Sequence, residues 1–345
     1  MTSARRGLFC FVAAAVALIG LGTAAPAAAQ DRYAAIVMDA RTDEVLLEDQ
    51  ADEARFPASL TKMMTLYMLF EALERGDVTM DTRITASRTA SRQPPSRLGV
   101  RRGDSITVEQ AIRALVVQSA NDVATMVGER LGGTEARFAA AMTSRARELG
   151  MADTRFVNAS GLPDPRQRTT ARDMATLSQA LWRDFPEHYH IFQDQSFSWR
   201  GRNIRGHNRL VGQVEGVDGI KTGYTRASGF NLATMAERNG RRVIVVVLGG
   251  ETAAARDAQV AYFVEGAFQE FARREDPNQA AYASLPTNRL DVQLAPGAIT
   301  AQSPATPASP YATYQGLVIE TLSPVRTPID PVGQGDETNS TEEME

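Results

Sequence analysis

Residues 230–248 read FNLATMAERNGRRVIVVVL and decide the fold class of this chain of 345 residues. Two apolar runs, 230–236 and 242–248, flank Asn239 and Gly240. This pair favours a type I′ turn, because both central residues of such a turn need positive φ. The second run is almost continuously apolar, as expected for a strand that is covered on both faces. The stretch therefore predicts an antiparallel hairpin within a buried sheet.

Further elements on both sides of this hairpin complete the fold. Residues 33–39 and 45–48 form short apolar runs that predict another hairpin. Residues 252–274 carry apolar side chains at helical spacing and predict a helix that packs on the sheet. Between the hairpins the chain is mainly helical, and Thr107 with Gln110 indicates a capping box at one helix start. The pattern predicts an α+β fold, an antiparallel β-sheet flanked by helices with an inserted all-helical lobe.

Both ends of the chain predict segments outside this domain. Two arginines precede an apolar run over residues 8–21 that ends in small residues, which is the pattern of an export signal. We therefore expect residues 1–29 to be removed and residues 30–275 to form one domain. Residues 276–345 are rich in Pro, Ala, Ser and Thr, end in acidic residues and predict a disordered tail. These features predict an exported protein, periplasmic, peripheral to a membrane or secreted, with no transmembrane segment in the mature chain.

Composition excludes several classes of function. The formal net charge is −4, and removal of the two leader arginines makes it more negative, so a nucleic-acid partner is not expected. The single cysteine, Cys10, falls in the predicted leader, which excludes disulfides and cysteine metal sites from the mature chain. The three histidines show no metal-binding spacing, so we expect neither a metal nor a cofactor.

Lysine is almost absent from this sequence. Lys62 and Lys221 are the only two lysines among 37 basic residues. An ammonium group can lose its proton when it is desolvated, whereas a guanidinium group stays charged. Both lysines are therefore candidates for a chemical role, and the alternative is that an arginine-rich composition left them by chance.

Ser59 and Lys62 predict a nucleophile and its base. They are three residues apart at the start of an apolar segment, so they share one face of a predicted helix. Because that helix is apolar nearly all round, it is expected to be buried, and burial lowers the pKa of a lysine. A neutral lysine could then accept the serine proton.

Two further motifs supply groups that such a serine needs. Ser119-Ala120-Asn121 lies between two predicted helices and offers a hydroxyl for proton relay and an amide for a substrate peptide. Lys221-Thr222-Gly223 lies on a predicted strand edge, with a positive charge, a hydroxyl and a glycine that permits close approach of a ligand. Each motif alone has low specificity, but the ordered set of three is specific.

The ordered set resembles the three motifs of penicillin-binding proteins and serine β-lactamases. Residues 56–64, 158–162, 170–175 and 218–225 resemble the low-molecular-mass D-alanyl-D-alanine carboxypeptidases in particular. The resemblance covers residues 30–275 and implies a catalytic domain of the serine β-lactamase/transpeptidase type. It implies a serine peptidase that removes terminal D-alanine from peptidoglycan stem peptides and is inhibited covalently by β-lactams.

The resemblance also implies roles for individual residues. Ser59 would be the nucleophile, Lys62 its base and Ser119 a proton relay assisted by Lys221, while Asn121 would hold the acylated peptide. The remaining substrate-binding positions are Thr222 for the terminal carboxylate, Gly223 for close approach and the backbone N–H of Tyr224, which with that of Ser59 would form the oxyanion hole.

Other functions remain open from sequence. A D,D-endopeptidase or transpeptidase would use the same constellation. A β-lactamase would need a second base, usually in a Glu-x-x-x-Asn loop that this sequence lacks. A non-catalytic cell-wall binding protein would be expected to have lost at least one of the six motif residues, and all six are present. Many members of this family also carry a C-terminal amphipathic helix, for which residues 276–345 show no pattern.

Overall fold

The computed structural model describes residues 32–275, so the predicted leader and tail lie outside the described residues. The strands are β1 Ala34–Asp39, β2 Val45–Asp49, β3 Arg83–Thr85, β4 Ser105–Thr107, β5 Ser196–Trp199, β6 Arg202–Arg205, β7 Lys221–Thr225, β8 Gly229–Arg238 and β9 Arg241–Gly250. The helices are α1 Thr61–Glu74, α2 Val108–Arg113, α3 Asn121–Gly132, α4 Glu135–Glu148, α5 Ala171–Asp184, α6 Pro186–Tyr189 and α7 Ala253–Glu275. Across residues 32–275, no helix combines the length and apolarity needed to span a bilayer.

The main sheet has five strands in the order β2-β1-β9-β8-β7, and every neighbouring pair is antiparallel. The predicted turn between β8 and β9 is confirmed, because Asn239 and Gly240 have φ values of 50° and 73°. The first predicted hairpin is confirmed as β1 and β2. Strands from the two ends of the domain thus meet at the centre of one sheet, and β7 forms an edge.

The two faces of β9 enter two different hydrophobic clusters. Val243, Val245 and Val247 pack in a cluster with apolar residues of α7. Ile244 and Val246 belong instead to the cluster that contains the apolar residues of α1 and α5. Because successive side chains of a strand point to opposite faces, helices on both sides explain why this run is apolar throughout. Each such buried side chain contributes roughly 1.5–3 kcal/mol relative to an exposed one.

The region between β2 and β7 is mainly helical, as the sequence predicts. The capping box is confirmed, since Thr107 accepts the amide hydrogen of Gln110 and the Gln110 side chain accepts that of Thr107. The lobe also holds two two-stranded sheets, β3 with β4 and β5 with β6, which sequence analysis missed. Their strands are three or four residues long and partly polar, too short to show a period of two.

The edge strand β7 lies against the turn that precedes α1. Asn231 on β8 is fully buried and donates its side-chain amide to the carbonyl oxygens of Phe56 and Pro57, at 2.9 and 3.1 Å. Its side-chain oxygen accepts a hydrogen bond from the Gly249 amide. One side chain therefore joins the centre of the sheet to the segment that carries Ser59.

Candidate active site

Ser59 lies in a single 3₁₀ turn, Ala58–Leu60, and α1 follows at Thr61. The serine is partly exposed, whereas Lys62 in the first turn of α1 is completely buried. The sequence predicted both residues at the start of one helix. In the structure, Ser59 lies in the 3₁₀ turn and Lys62 in the first turn of the α-helix that follows directly. The hydroxyl faces an open pocket and the amine lies beneath it.

Lys62 has three hydrogen-bond partners. Its Nζ atom lies 3.1 Å from Ser59 Oγ, 2.8 Å from Asn121 Oδ1 and 2.6 Å from the carbonyl oxygen of Ser160. A neutral amine has two hydrogens and one lone pair. The two acceptors without a proton can take those hydrogens, which leaves the lone pair directed at the hydroxyl of Ser59.

The pKa of Lys62 is lowered well below its usual value. Burial is the largest cause, and the positive charge of Lys221 lowers the pKa further, while the carboxylate of Asp122 partly opposes both. Desolvation penalises the charged form of a base, so the neutral amine is favoured at this position.

The turn around Ser59 depends on a glycine from another part of the chain. Gly161 has φ of +83°, and a Cβ atom there would lie 1.8 Å from the carbonyl oxygen of Ala58. Ala58 itself has φ of 47°. The preceding residue, Ser160, supplies the carbonyl that binds Lys62, so segment 158–161 supports Ser59 and Lys62 together.

The Ser119-Ala120-Asn121 motif forms the adjacent wall. Ser119 adopts a left-handed conformation with φ of 57° and is 6% exposed, and its Oγ has no hydrogen-bond partner among the described residues. The side chain of Asn121 accepts from Lys62 and donates to the carbonyl oxygen of Pro94 at 3.0 Å. A buried hydroxyl without a partner carries a free-energy cost unless a ligand satisfies it.

Asp122 organises the loop beyond this motif, a role that sequence analysis missed. Its carboxylate accepts hydrogen bonds from the backbone amides of Leu98, Gly99 and Val100 at 2.8–3.2 Å. These bonds hold the segment that begins at Pro94 against the start of α3. No sequence signal marked this residue, because its partners lie more than 20 positions earlier in the chain.

Strand β7 brings the third motif to the opposite wall. Thr222 faces the pocket, and a Cβ atom on Gly223 would lie 3.0 Å from the amide nitrogen of Ser59. A side chain at this position would therefore crowd the backbone of Ser59, whereas glycine allows the strand to approach it closely. Tyr224 is 56% exposed, and its ring stacks on Phe230 with centroids 4.2 Å apart.

Lys221 is 1% exposed, and its ammonium group donates to the carbonyl oxygen of Thr222 at 3.0 Å. Burial, followed by the positive charge of Arg256, lowers the pKa of Lys221 to about 7. The predicted assistance to Ser119 does not take the form of a hydrogen bond here, since Ser119 Oγ is unpaired within residues 32–275. Lys221 acts on its neighbours in this structure through its charge.

These elements form the walls of a pocket that is open to solvent and has a volume of about 450 Å³. Among the residues that line it are Ser59, Ser96, Ser119, Asn121, Gly206, His207, Arg209, Thr222, Gly223, Tyr224 and Arg256. Of the eight predicted site residues, six therefore face the pocket, and Lys62 and Lys221 lie buried next to it. Within the described part of the chain, no group of three or more His, Asp or Glu side chains could hold a metal ion.

Comparison with known proteins agrees with this geometry. The sequence profile described as D-alanyl-D-alanine carboxypeptidase matches residues 22–252. The chain belongs to the D-alanyl-D-alanine carboxypeptidase family. Among curated members, DacD of Salmonella typhimurium is 33% identical over 249 residues, which cover 70% of this chain and 64% of that protein. The chain therefore matches somewhat less than two thirds of this relative's length.

Solved structures of the family show the same fold. DacD from Francisella tularensis has a TM-score of 0.66 at 30% identity, with 67% of this chain and 69% of that chain covered. Penicillin-binding protein D2 from Listeria monocytogenes, in its ampicillin-bound form, has a TM-score of 0.62 at 32% identity. The match covers 67% of this chain and 95% of that chain. The predicted α+β fold with an antiparallel sheet is confirmed.

This family member also has an arginine pair in its pocket that sequence analysis missed. Arg256 in α7 is 3% exposed and donates to the backbone oxygen of Asn231 and to Asp257. Arg209 binds the other oxygen of Asp257 at 2.7 Å. Two guanidinium groups thus share one carboxylate and leave an excess of positive charge at the pocket wall. In a sequence with 35 arginines, no local pattern distinguishes these two.

Proposed function

We propose that this chain is a serine D-alanyl-D-alanine carboxypeptidase that removes the terminal D-alanine from peptidoglycan pentapeptide stems. The observation that carries the proposal is the contact of Ser59 Oγ with Lys62 Nζ at 3.1 Å, in a site where the lysine is completely buried. Activation of a serine by a desolvated lysine is a recognised form of nucleophilic catalysis. The names of the family's curated members support the same reaction.

In the acylation step, Lys62 accepts the proton of Ser59 as Oγ attacks the carbonyl carbon of the penultimate D-alanine. The new C–O bond gives a tetrahedral intermediate, and its collapse breaks the C–N bond and releases D-alanine once its nitrogen is protonated. Ser119 is suited to relay that proton, since its buried Oγ has no partner in the described structure. Water then hydrolyses the ester and regenerates the Ser59 hydroxyl.

The charge of the pocket supports a substrate that ends in a carboxylate. Thr222 offers a hydroxyl, while Lys221 and Arg256 provide positive charge from a buried position. In a site of low polarity such charges act more strongly than in water. A terminal D-alanine carboxylate placed at Thr222 would leave its scissile bond near Ser59.

The developing negative charge would be held by backbone amides. The close approach of Gly223 to the Ser59 amide supports an oxyanion hole formed by the N–H groups of Ser59 and Tyr224. Fixed amide donors stabilise a tetrahedral intermediate without reorganisation and typically contribute about 10²–10³-fold in rate. Asn121, held by Lys62 and Pro94, would present its remaining amide hydrogen to the substrate peptide.

A second candidate is a D,D-endopeptidase or transpeptidase, which the same site would serve. A β-lactamase is less favoured, because none of the residues found to line the pocket in the described chain is Asp or Glu. Among the residues that line the described pocket, no acidic side chain is available as a second base dedicated to penicilloyl hydrolysis, so we expect this ester to be long-lived.

The test combines two measurements on the chain from residue 30. Intact mass after benzylpenicillin should show one covalent adduct, absent from Ser59→Ala, and a D-Ala-D-Ala pentapeptide should lose its terminal D-alanine. Rapid loss of the adduct without D-alanine release would indicate a β-lactamase. Absence of any adduct on a folded protein would indicate a cell-wall binding protein.

We also propose export of the chain, most simply to the periplasm, on the basis of its N-terminal sequence pattern and of a substrate found outside the cytoplasm. Amino-terminal sequencing of the protein from an envelope fraction should begin near Gln30. An intact leader on active protein would contradict this expectation.

A further inference from the structure

Two segments that border the pocket carry exposed arginines. Residues 94–104 contain Ser96 and residues 195–206 contain Gly206, and both of these residues line the pocket. The second segment contains no acidic residue, and the first contains only Asp104. Five exposed arginines of these segments have no carboxylate within ion-pair distance among residues 32–275, and we name them the arginine face: Arg97, Arg101, Arg102, Arg202 and Arg205.

The two segments lie side by side. Their outer ends are joined by the ion pair of Arg200 with Asp104 at 2.7 Å, while their inner ends at Ser96 and Gly206 line the same pocket. The arginines of this set therefore border the mouth of the pocket and continue along the β5–β6 hairpin, where Arg202 and Arg205 lie on opposite sides of β6. Two carboxylates lie beside these segments, and both are already bound: Asp104 by Arg200 and the Arg101 amide, and Asp194 by Arg113.

Arginines elsewhere on the domain are arranged differently. Around β8, β9 and α7 they are paired, as in Arg238 with Glu265 at 2.5 Å and Arg274 with Glu44 at 2.7 Å. Those on α3 and α4 that lack a partner alternate with glutamates along the chain. The whole stretch 82–103 contains no acidic residue and adds Arg83, Arg88 and Arg92, which are exposed and make no ion pair within residues 32–275, so the positive charge beside the pocket continues along this stretch.

We propose that the arginine face binds carboxylate groups of the peptidoglycan strand whose stem peptide occupies the pocket, an inference that rests on the proposed function. Guanidinium groups bind carboxylates in a bidentate manner, and a row of them next to a cleft raises the local concentration of an anionic substrate. A lipid surface fits less well, because Tyr224 is the only exposed large hydrophobic side chain in the described residues, which leaves the face without an apolar anchor.

The experiment compares two triple variants of the chain from residue 30 with equal loss of charge. One replaces Arg102, Arg202 and Arg205 by Gln. The matched control replaces three exposed arginines of α3 and α4 that also lack an ion pair in the described structure, which are Arg130, Arg137 and Arg147. Each protein is assayed for D-alanine release from uncrosslinked peptidoglycan strands, and from an acetylated tripeptide whose only charge is its terminal carboxylate.

The variant of the arginine face should lose about 10-fold in kcat/KM on the strands at low ionic strength, and this difference should shrink at high salt. Its activity on the tripeptide, and both activities of the control variant, should stay within about twofold of the parent. Equal losses in the two variants would overturn the inference, as would binding to anionic vesicles that only the arginine-face variant loses. Failure of the parent to cleave the tripeptide would instead reject the proposed function.

Discussion

The two walls of the pocket each contain one of the chain's two lysines, and the lysines have different surroundings. Lys62, on the helical wall, has three hydrogen-bond partners, one of which is the hydroxyl of Ser59. Lys221, on the strand wall, has one, the backbone carbonyl of Thr222. Both are buried and both have lowered pKa values. The difference in contacts fits the proposal that the first lysine exchanges a proton and the second supplies charge.

The largest expected effect comes from replacing Lys62, the proposed base. Lys62→Arg should reduce the rate of acylation by a fluorescent penicillin by about 10³-fold or more, because arginine stays protonated and cannot accept the serine proton. Lys221→Arg keeps the positive charge, so its rate of acylation should fall far less. Near-normal acylation in a folded Lys62→Arg protein would show that Lys62 is not the base.

A charge placed beside Lys62 should shift its titration. Asn121→Asp puts a carboxylate where the amide oxygen now accepts from Nζ, so the pKa of Lys62 should rise and less neutral amine should be present at pH 7. We expect acylation at pH 7 to fall by about 10–100-fold and the acidic limb of the pH profile to move to higher pH, since each pKa unit corresponds to about tenfold. Asn121→Ala serves as the control. A loss that is the same at every pH would mean that the amide acts only on the substrate.

Lys221 should account for an alkaline limb in the pH profile of the wild type. Acylation should rise with pH as Lys62 loses its proton, and fall above pH values of about 7 as Lys221 loses its charge. In Lys221→Arg the alkaline limb should disappear while the acidic limb remains. If the limb persists unchanged in that variant, another group causes it.

The burial of Lys221 should also appear in stability. Its pKa is about 7 in the folded chain and near 10.5 when exposed, so between these values the unfolded state binds more protons. The free energy of unfolding should therefore increase with pH across this window, by up to about 1.4 kcal/mol per pH unit from this group. Lys221→Met should show a shallower rise in urea denaturation. An equal slope in both proteins would contradict the lowered pKa.

The smallest effect is expected at the exposed end of β7. Tyr224→Ala removes a ring that stacks on Phe230 but leaves the backbone amide in place. Stability should fall by about 0.5–1.5 kcal/mol. The KM for the pentapeptide should change by a few-fold with kcat retained, because the proposed oxyanion contact is made by the backbone. A large fall in kcat would assign the side chain itself a catalytic role.

Several parts of the fold could be predicted because their signals are local. The turn at Asn239 and Gly240 depends on two neighbouring residues, and the burial of β9 on both faces is visible as an unbroken apolar run. The short strands β3 to β6 were missed, since their pairing depends on the lobe around them. In the site, the ordered motifs indicated which side chains meet but not how they are held.

The sequence by itself determined the chemistry available to this protein: a serine three residues before one of two lysines, with two further motifs in order. The tertiary structure decided what that chemistry can do. Three groups hold the site through hydrogen bonds to residues that are 22 to 175 positions away in the sequence. They are the carbonyl of Ser160, the side-chain amide of Asn231 and the carboxylate of Asp122. A lysine loses its charge only when the surrounding chain removes water from it, and that surrounding exists only after folding.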